Sequence, residues 1–262
     1  MTFETTQGMT GAPSKAAAGQ PVLAFRNVGF TREDGSEILR EISLELDAGS
    51  LTTVIGPSGI GKTTLLRLAA GLLKPSAGEI RYRQAMAPGD IGYVFQDPTL
   101  MPWASVLENI RLPLRLMGST GKGARDAALS ALAAVGMDNQ AGRRPAELSG
   151  GMRMRVAVAR ALVTQPRLLL LDEPFAALDE LTRTKLDEDL RQVIERSGVA
   201  ALFVTHSVAE AVFLSDRVLI LNGRPARITG RIENSVFAGD RTARHSNDFN
   251  QMCRKISEGL SE

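Results

Sequence analysis

A single cysteine, Cys253, stands among 262 residues, so no disulfide can close within the chain and a stapled extracellular scaffold is excluded. The thiol count suits a reducing compartment, with Cys253 read as an inert side chain. Long apolar runs are missing too: residues 199–204 and 168–171 fall far short of the ~20 residues a membrane-crossing helix needs. The chain is therefore expected not to span a membrane. Nor does charge of one sign accumulate, because 31 Lys and Arg against 29 Asp and Glu leave only +2. That balance offers no field for gathering nucleic-acid phosphates, and no nucleic-acid partner is expected. Residues 1–20 are rich in Gly, Ala, Thr and Ser and lack the basic start and apolar stretch of a secretory leader. They are expected to form a flexible N-terminal tail, and export is not expected.

What is present is the balance of a packed soluble chain, 44% apolar and 23% charged, long enough for one large domain or two modest ones. Residues 23–28 and the alternating Ile42-Ser43-Leu44-Glu45-Leu46 suit half-buried strands around the turn Glu33-Asp34-Gly35-Ser36, which predicts an antiparallel β-subdomain. Residues 51–55 form a short β-rich run. A glycine-rich loop follows, then a helical stretch over 63–73, where Leu65, Leu66, Leu68, Ala69 and Leu72 recur at helical spacing. Apolar runs at 91–95, 168–171, 200–204 and 218–221 alternate with helical stretches, the pattern of a mostly parallel core sheet flanked by helices. Between about 97 and 165 strand signals vanish. Helix formers fill 106–117, 124–135 and 152–163, punctuated by Pro98, Pro102, Gly118, Gly121, Gly123 and Pro145, which predicts an inserted helical subdomain. After Asn222-Gly223-Arg224-Pro225, a turn, a short strand is expected over 226–232 and a terminal helix over 248–260. The expected fold is α/β, with a main domain over 21–221 and a short C-terminal extension over 222–262.

Two motifs carry chemistry. Gly56-Pro57-Ser58-Gly59-Ile60-Gly61-Lys62-Thr63 matches G-x-x-x-x-G-K-[ST] in full, between a strand and a helix. Glycines let the backbone wrap an anion, so that successive N–H groups and the helix N-terminus point at phosphate oxygens. The loop through Thr64 is the candidate ATP cradle, with Lys62 reaching the β- and γ-phosphates and the Thr63 hydroxyl ligating Mg²⁺. The second motif is Leu168-Leu169-Leu170-Leu171-Asp172-Glu173-Pro174, an apolar strand ending in two acids. Only the carboxyl end of such a strand can present acids to a metal-bound triphosphate. Asp172 fits as the Mg²⁺ carboxylate and Glu173 as the group that polarises the attacking water.

These motifs alone do not choose among phosphate-loop kinases, GTPases, helicases and transport ATPases. Leu148-Ser149-Gly150-Gly151-Met152, opening a helix some twenty residues before Asp172, resembles the L-S-G-G-Q signature of the ATP-binding cassette (ABC) family. The resemblance runs from about residue 23 to 221, with six motifs in family order. They include Gln96 in Tyr93-Val94-Phe95-Gln96-Asp97, Asp179 in Ala177-Leu178-Asp179, and His206 after the run 200–205. It implies a phosphate-loop ATPase that forms a homodimer, or pairs with a like cassette, head to tail. Each ATP would be sandwiched between the phosphate loop of one subunit and Ser149, Gly150 and Gly151 of the other. By the same resemblance Gln96 contacts Mg²⁺, Asp179 links the subunits, and His206 holds the γ-phosphate and positions water. Two departures from the family pattern concern neighbours of these positions: Met152 replaces the common Gln, and Ser207 follows His206 where Asp is frequent. A third concerns the base: Arg32 occupies the usual place of an adenine-stacking aromatic. Its planar guanidinium can stack on adenine, with Phe30 as the alternative.

Residues 96–103 and 106–110, Phe175-Ala176-Ala177-Leu178-Asp179 and Arg224-Pro225-Ala226-Arg227-Ile228 resemble the nitrate/sulfonate/taurine branch of bacterial importers. That implies a peripheral ATPase on the cytoplasmic face of a separate membrane permease, served by a substrate-binding protein, with Trp103 lining the groove that receives the permease. Residues 59–64 and 30–32 also resemble phospholipid-trafficking cassettes, and a soluble cassette ATPase of DNA repair or translation is a further alternative. Such repair and translation proteins usually pair two cassettes or insert a long coiled coil, and this chain has neither.

Overall fold

The computed structural model describes residues 21–234, 244 and 246–261; the tail expected over 1–20 lies outside the described residues. The chain begins with the antiparallel pair β1 (Leu23–Thr31) and β2 (Glu37–Leu46), joined by the expected turn. There follow β3 (Leu51–Ile55), α1 (Lys62–Ala69), β4 (Ala77–Tyr82) and β5 (Ile91–Val94). Three helices come next, α2 (Val106–Leu116), α3 (Gly121–Ala134) and α4 (Gly150–Leu162), where strand signals vanish in the sequence. The last third contains β6 (Leu168–Asp172), α5 (Glu180–Ser197), β7 (Ala200–Thr205), α6 (Val208–Leu214), β8 (Arg217–Asn222), β9 (Arg227–Glu233) and α7 (Asn247–Ser261).

Two sheets result. The smaller is antiparallel, in the order β2-β1-β4; the larger has the order β5-β6-β7-β3-β8-β9, parallel except for its last strand. Every residue of β3, β6 and β7 is buried, as strands covered on both faces must be, which is why they read as unbroken apolar runs. Each leucine of Leu168-Leu169-Leu170-Leu171 is fully enclosed, worth about 2 kcal/mol of transfer free energy apiece. Leu168 and Leu170 face one core layer and Leu169 and Leu171 the other, so β6 nails the two layers together.

The strand β4 has no counterpart among the sequence expectations. Its residues Ala77, Gly78, Glu79 and Arg81 are exposed and only Ile80 and Tyr82 are half-buried, so it carries too little alternation to read as a strand. Of the segment 222–262, set apart by the sequence as an extension, residues 222–233 and 247–261 pack on the main sheet and α6. The turn at Asn222–Pro225 is a hairpin that returns β9 antiparallel along β8, and α7 packs on α6 and β8 through buried Phe249 and Ile256. Ala226 stitches the sheets together: its N–H donates to Ile38 O at 2.9 Å and its carbonyl accepts from Arg40 N at 2.9 Å.

The register places the functional segments. Leu171 lies beside Phe203 and Asp172 beside Val204, while Ile55 lies beside Thr205. The carboxyl ends of β3, β6 and β7 therefore meet at one sheet edge, with Gly56, Glu173 and His206 leading off them. This is where ligands of open α/β sheets sit.

Candidate nucleotide site

The loop between β3 and α1 needs its glycines. A Cβ on Gly56 would lie 2.5 Å from Leu221 O, so only glycine lets the loop leave β3 against β8. Gly61 caps α1 in a left-handed conformation (φ 115°) that side chains rarely adopt, aiming the helix N-terminus into the loop. Lys62 is buried, and its ammonium donates to Gly56 O at 2.8 Å and Pro57 O at 3.0 Å while pairing with Glu173 Oε1 at 3.0 Å. Three donors are thus matched by three oxygens, holding the cradle in shape.

The acids diverge in environment. The Thr63 hydroxyl donates to Asp172 Oδ1 at 3.0 Å and the Tyr93 hydroxyl to Asp172 Oδ2 at 3.2 Å. Burial raises the Asp172 pKa against both hydrogen bonds, and the adjacent Glu173 charge adds to the rise. Glu173 is also partly buried, but hydrogen bonds from Lys62 and His206 outweigh that burial and hold its carboxyl below the ordinary value. His206 Nδ1 lies 2.8 Å from Glu173 Oε2. Glu173 adopts φ 44°, a conformation costly for a side-chain-bearing residue and typical of sites that aim one group. Its N–H is fixed by Val204 O at 3.0 Å. Lys62, Thr63, Asp172, Glu173 and His206, expected from the sequence, thus converge, and Tyr93 joins them. Nothing in the sequence marks Tyr93 beyond its place before Gln96; its role follows from the pairing of β5 with β6.

The other candidates lie in separate neighbourhoods. Ser149 caps α4 by accepting from Met152 N at 3.3 Å; it is exposed, while Gly150 is half-buried and Gly151 buried. Gly150 and Gly151 pack beside Leu178 and Thr182. Asp179 caps α5, accepting from Thr182 N at 3.0 Å, and this hydrogen bond keeps its carboxyl below the ordinary range. Signature and Asp179 turn therefore form one surface. Gln96 lies exposed two residues beyond β5, and Arg32 lies exposed at the β1–β2 turn, its N–H donating to Ser36 O at 2.9 Å. Phe30 is half-buried against the core, and the same hairpin reaches the cradle through Ile38 and Leu39, which flank Gly61.

A glycine cradle with a buried lysine, facing two acids and a histidine across a parallel sheet edge, defines a phosphate-loop nucleotide hydrolase. Residues 39–176 match the ABC transporter family. The chain is 49% identical over 216 residues to the aliphatic sulfonates import ATP-binding protein of Rhodopseudomonas palustris, covering 82% of this chain and 76% of that protein. It is 45% identical over 223 residues to the taurine import ATP-binding protein of Pseudomonas aeruginosa, covering 84% and 83%. Among solved structures, a cassette from Clostridium perfringens that is part of an ABC transporter complex superposes with a TM-score of 0.75 at 27% identity, covering 82% of this chain and 89% of that one. A dimeric ATP-binding cassette in a post-hydrolysis state, bound to ADP and Pi, superposes with a TM-score of 0.71 at 31% identity, covering 82% and 100%. The chain belongs to the ABC transporter family and is an ATPase cassette of that family.

Proposed function

We propose that this chain powers uptake of a small organosulfur anion, of the sulfonate or taurine kind, through a separate permease on whose cytoplasmic face it is held. The observation that carries the catalytic part is the contact set Lys62–Glu173–His206 beside Asp172–Thr63. Lys62 leaves its loop carbonyls for the β- and γ-phosphates, and Glu173, relieved of that partner, accepts a proton from the attacking water. His206 orients Glu173 and meets the γ-phosphate. The oxygens of Asp172 and Thr63, 3.0 Å apart, suit a hard cation such as Mg²⁺, with Gln96 as a further oxygen ligand. Phosphate oxygens and water would complete its ligand set. Bound there, Mg²⁺ would neutralise charge on the β- and γ-phosphates.

Ser149, Gly150 and Gly151 then serve a partner's nucleotide: the N-terminus of α4, with Ser149 exposed on it, offers a second anion site. Dimeric cassettes among the structural relatives support the pairing of two cassettes. Arg32 stacks on adenine from the hairpin beside Gly61. Arg32→Ala is expected to raise the apparent Kd for ATP about fivefold, in line with a cation–π contact near 1 kcal/mol, read by titration with a fluorescent nucleotide. Unchanged affinity excludes the assignment.

No described helix is long and apolar enough to cross a membrane, so transport needs a partner that does. Trp103 is 74% exposed in a loop built for rigidity. Buried Asn109 binds that loop's backbone at Met101 and Ala104, and Arg160 binds it at Pro98 O and Thr99 O. Arg160 also lines a cavity of about 290 Å³ between β5 and α2, flanked by Leu116 and Met117. An exposed tryptophan on a stiff loop that shares Arg160 with an open groove suits a permease helix. Trp103→Ala is expected to abolish permease stimulation of ATPase activity while basal turnover persists; unchanged stimulation refutes the role. The uptake reading is tested by reconstituting the chain with its permease and binding protein: stimulation by taurine or an alkanesulfonate supports it. Stimulation by phospholipid instead, or recovery of ribosomes or DNA in pull-downs, overturns it.

A further inference from the structure

Behind the His206 loop lies a buried group of four charges that the mechanism above does not use. Asp187 on α5 and Glu210 on α6 are 1% and 4% exposed. Two arginines answer them. Arg183 faces Glu210 Oε1 with its Nε at 3.5 Å, and Arg244, from beyond β9, donates from Nη2 to Asp187 Oδ2 at 2.7 Å. The Arg244 guanidinium also lies 3.8 Å above the ring of Phe213 on α6, a cation–π contact in a dry setting. We propose that Arg244 is a positioning residue for ATP hydrolysis: it neutralises the buried Asp187–Glu210 pair and so holds in place the loop that carries His206. The proposal rests on the reading of Glu173 and His206 as catalytic.

Two chains of contacts lead from this group to the nucleotide machinery. Glu210 accepts from the Thr205 hydroxyl, and Thr205 Oγ1 accepts from Ser207 N at 2.9 Å. His206 is thus bracketed on both sides by a network that ends on Glu210. In the other direction, Arg183 Nη2 donates to Leu178 O at 2.8 Å, the residue before Asp179. With both acids ionised, two carboxylates face two arginines. Burial, then the nearby Glu210 charge, lift Asp187 to a pKa of about 7, while Arg244 works against both. Without Arg244 the two carboxylates would face a single arginine in a low-dielectric setting. Their repulsion, or uptake of a proton, would shift Glu210 and loosen its hold on Thr205. Asp187 Oδ1, Glu210 Oε1 and the Nε atoms of Arg183 and Arg244 make no hydrogen bond among the described residues, so the group is held largely by charge and is sensitive to the loss of one member.

The test is steady-state ATPase kinetics of the full chain carrying Arg244→Met, Arg244→Lys, Asp187→Asn, and Arg244→Met with Asp187→Asn. Arg244→Met is expected to lower kcat about tenfold with the KM for ATP changed by less than about twofold, since ATP itself touches none of these residues. Adding Asp187→Asn should restore kcat to within about threefold of wild type, because the stranded charge is gone. Wild-type kcat in Arg244→Met, a loss expressed in KM alone, or no recovery in the double variant overturns the proposal. If Arg244→Met does not fold, Arg244→Lys decides. Reduced kcat at an unchanged melting temperature supports the proposal, since the ammonium keeps the charge but not the fork or the ring contact; wild-type kcat refutes it. Glu173→Gln, run alongside, separates two failures. Normal turnover by that variant removes the catalytic reading itself, whereas an inactive Glu173→Gln beside a wild-type Arg244→Met removes only the assignment of Arg244.

Discussion

Glu173→Gln is expected to cut ATP hydrolysis by about 10³-fold while leaving ATP binding intact, the scale of losing a positioned general base. The amide fits the same space but cannot take a proton from water. It also cannot pair with Lys62 as a carboxylate does, which frees that ammonium for the nucleotide, so ATP affinity should hold or improve. Two observations are needed together: phosphate release near the uncatalysed floor, and ATP-dependent dimers that persist on a sizing column. Turnover near wild type would move the base elsewhere, and His206 would be the next candidate.

Lys62→Met is expected to fail at the earlier step. A charge-assisted hydrogen bond contributes about 1.5–3 kcal/mol, and Lys62 would make at least two to the β- and γ-phosphates, so affinity should fall roughly a hundredfold or more. Calorimetric titration with ATP reads this directly. The substitution also strips Glu173 of the hydrogen bond that does most to hold its carboxyl below the ordinary value, and strands two loop carbonyls, Gly56 O and Pro57 O. The cradle should therefore lose order as well as charge. ATP binding at wild-type strength would mean that the backbone N–H groups alone hold the phosphates.

The phosphate loop, the acid pair and the signature were legible because each is a local motif whose neighbours along the chain set its geometry. Parallel strands were legible for a related reason: burial on both faces forces unbroken apolar runs such as Leu168–Leu171. Other parts depend on partners far away in sequence. β4 is an edge strand with an exposed face, and its pairing with β1 decides its shape more than its own residues do. Tyr93 reaches Asp172 across 79 positions, and Arg244 reaches Asp187 across 57; neither pair has a sequence pattern. Asn109 looks like an ordinary helix residue until the loop 101–105 folds over it. The turn at Asn222–Pro225 was visible, but whether it ended the domain or turned a strand back into the sheet depended on an open edge of β8 that no window of sequence displays.

The stitching of the two sheets has a mechanical meaning. Ala226 is joined to β2 on both sides, Arg227 pairs with Glu41, and Arg231 and Arg217 reach the carbonyls of Ser43 and Glu45 farther along the same strand. β2 is thereby riveted along most of its length, and the β1–β2 hairpin and the phosphate cradle form one stiff plate. The helices α2, α3 and α4 leave the plate after the edge strand β5 and rejoin it before β6; among the described residues α4 ties them back, Arg155 pairing with Asp189 on α5 and the Thr164 hydroxyl, just past α4, donating to Gly89 O at 2.8 Å. Displacement at the nucleotide would therefore reach the helical half through α4, the helix that packs on β5 and α5 and carries α2 and α3 on its other side.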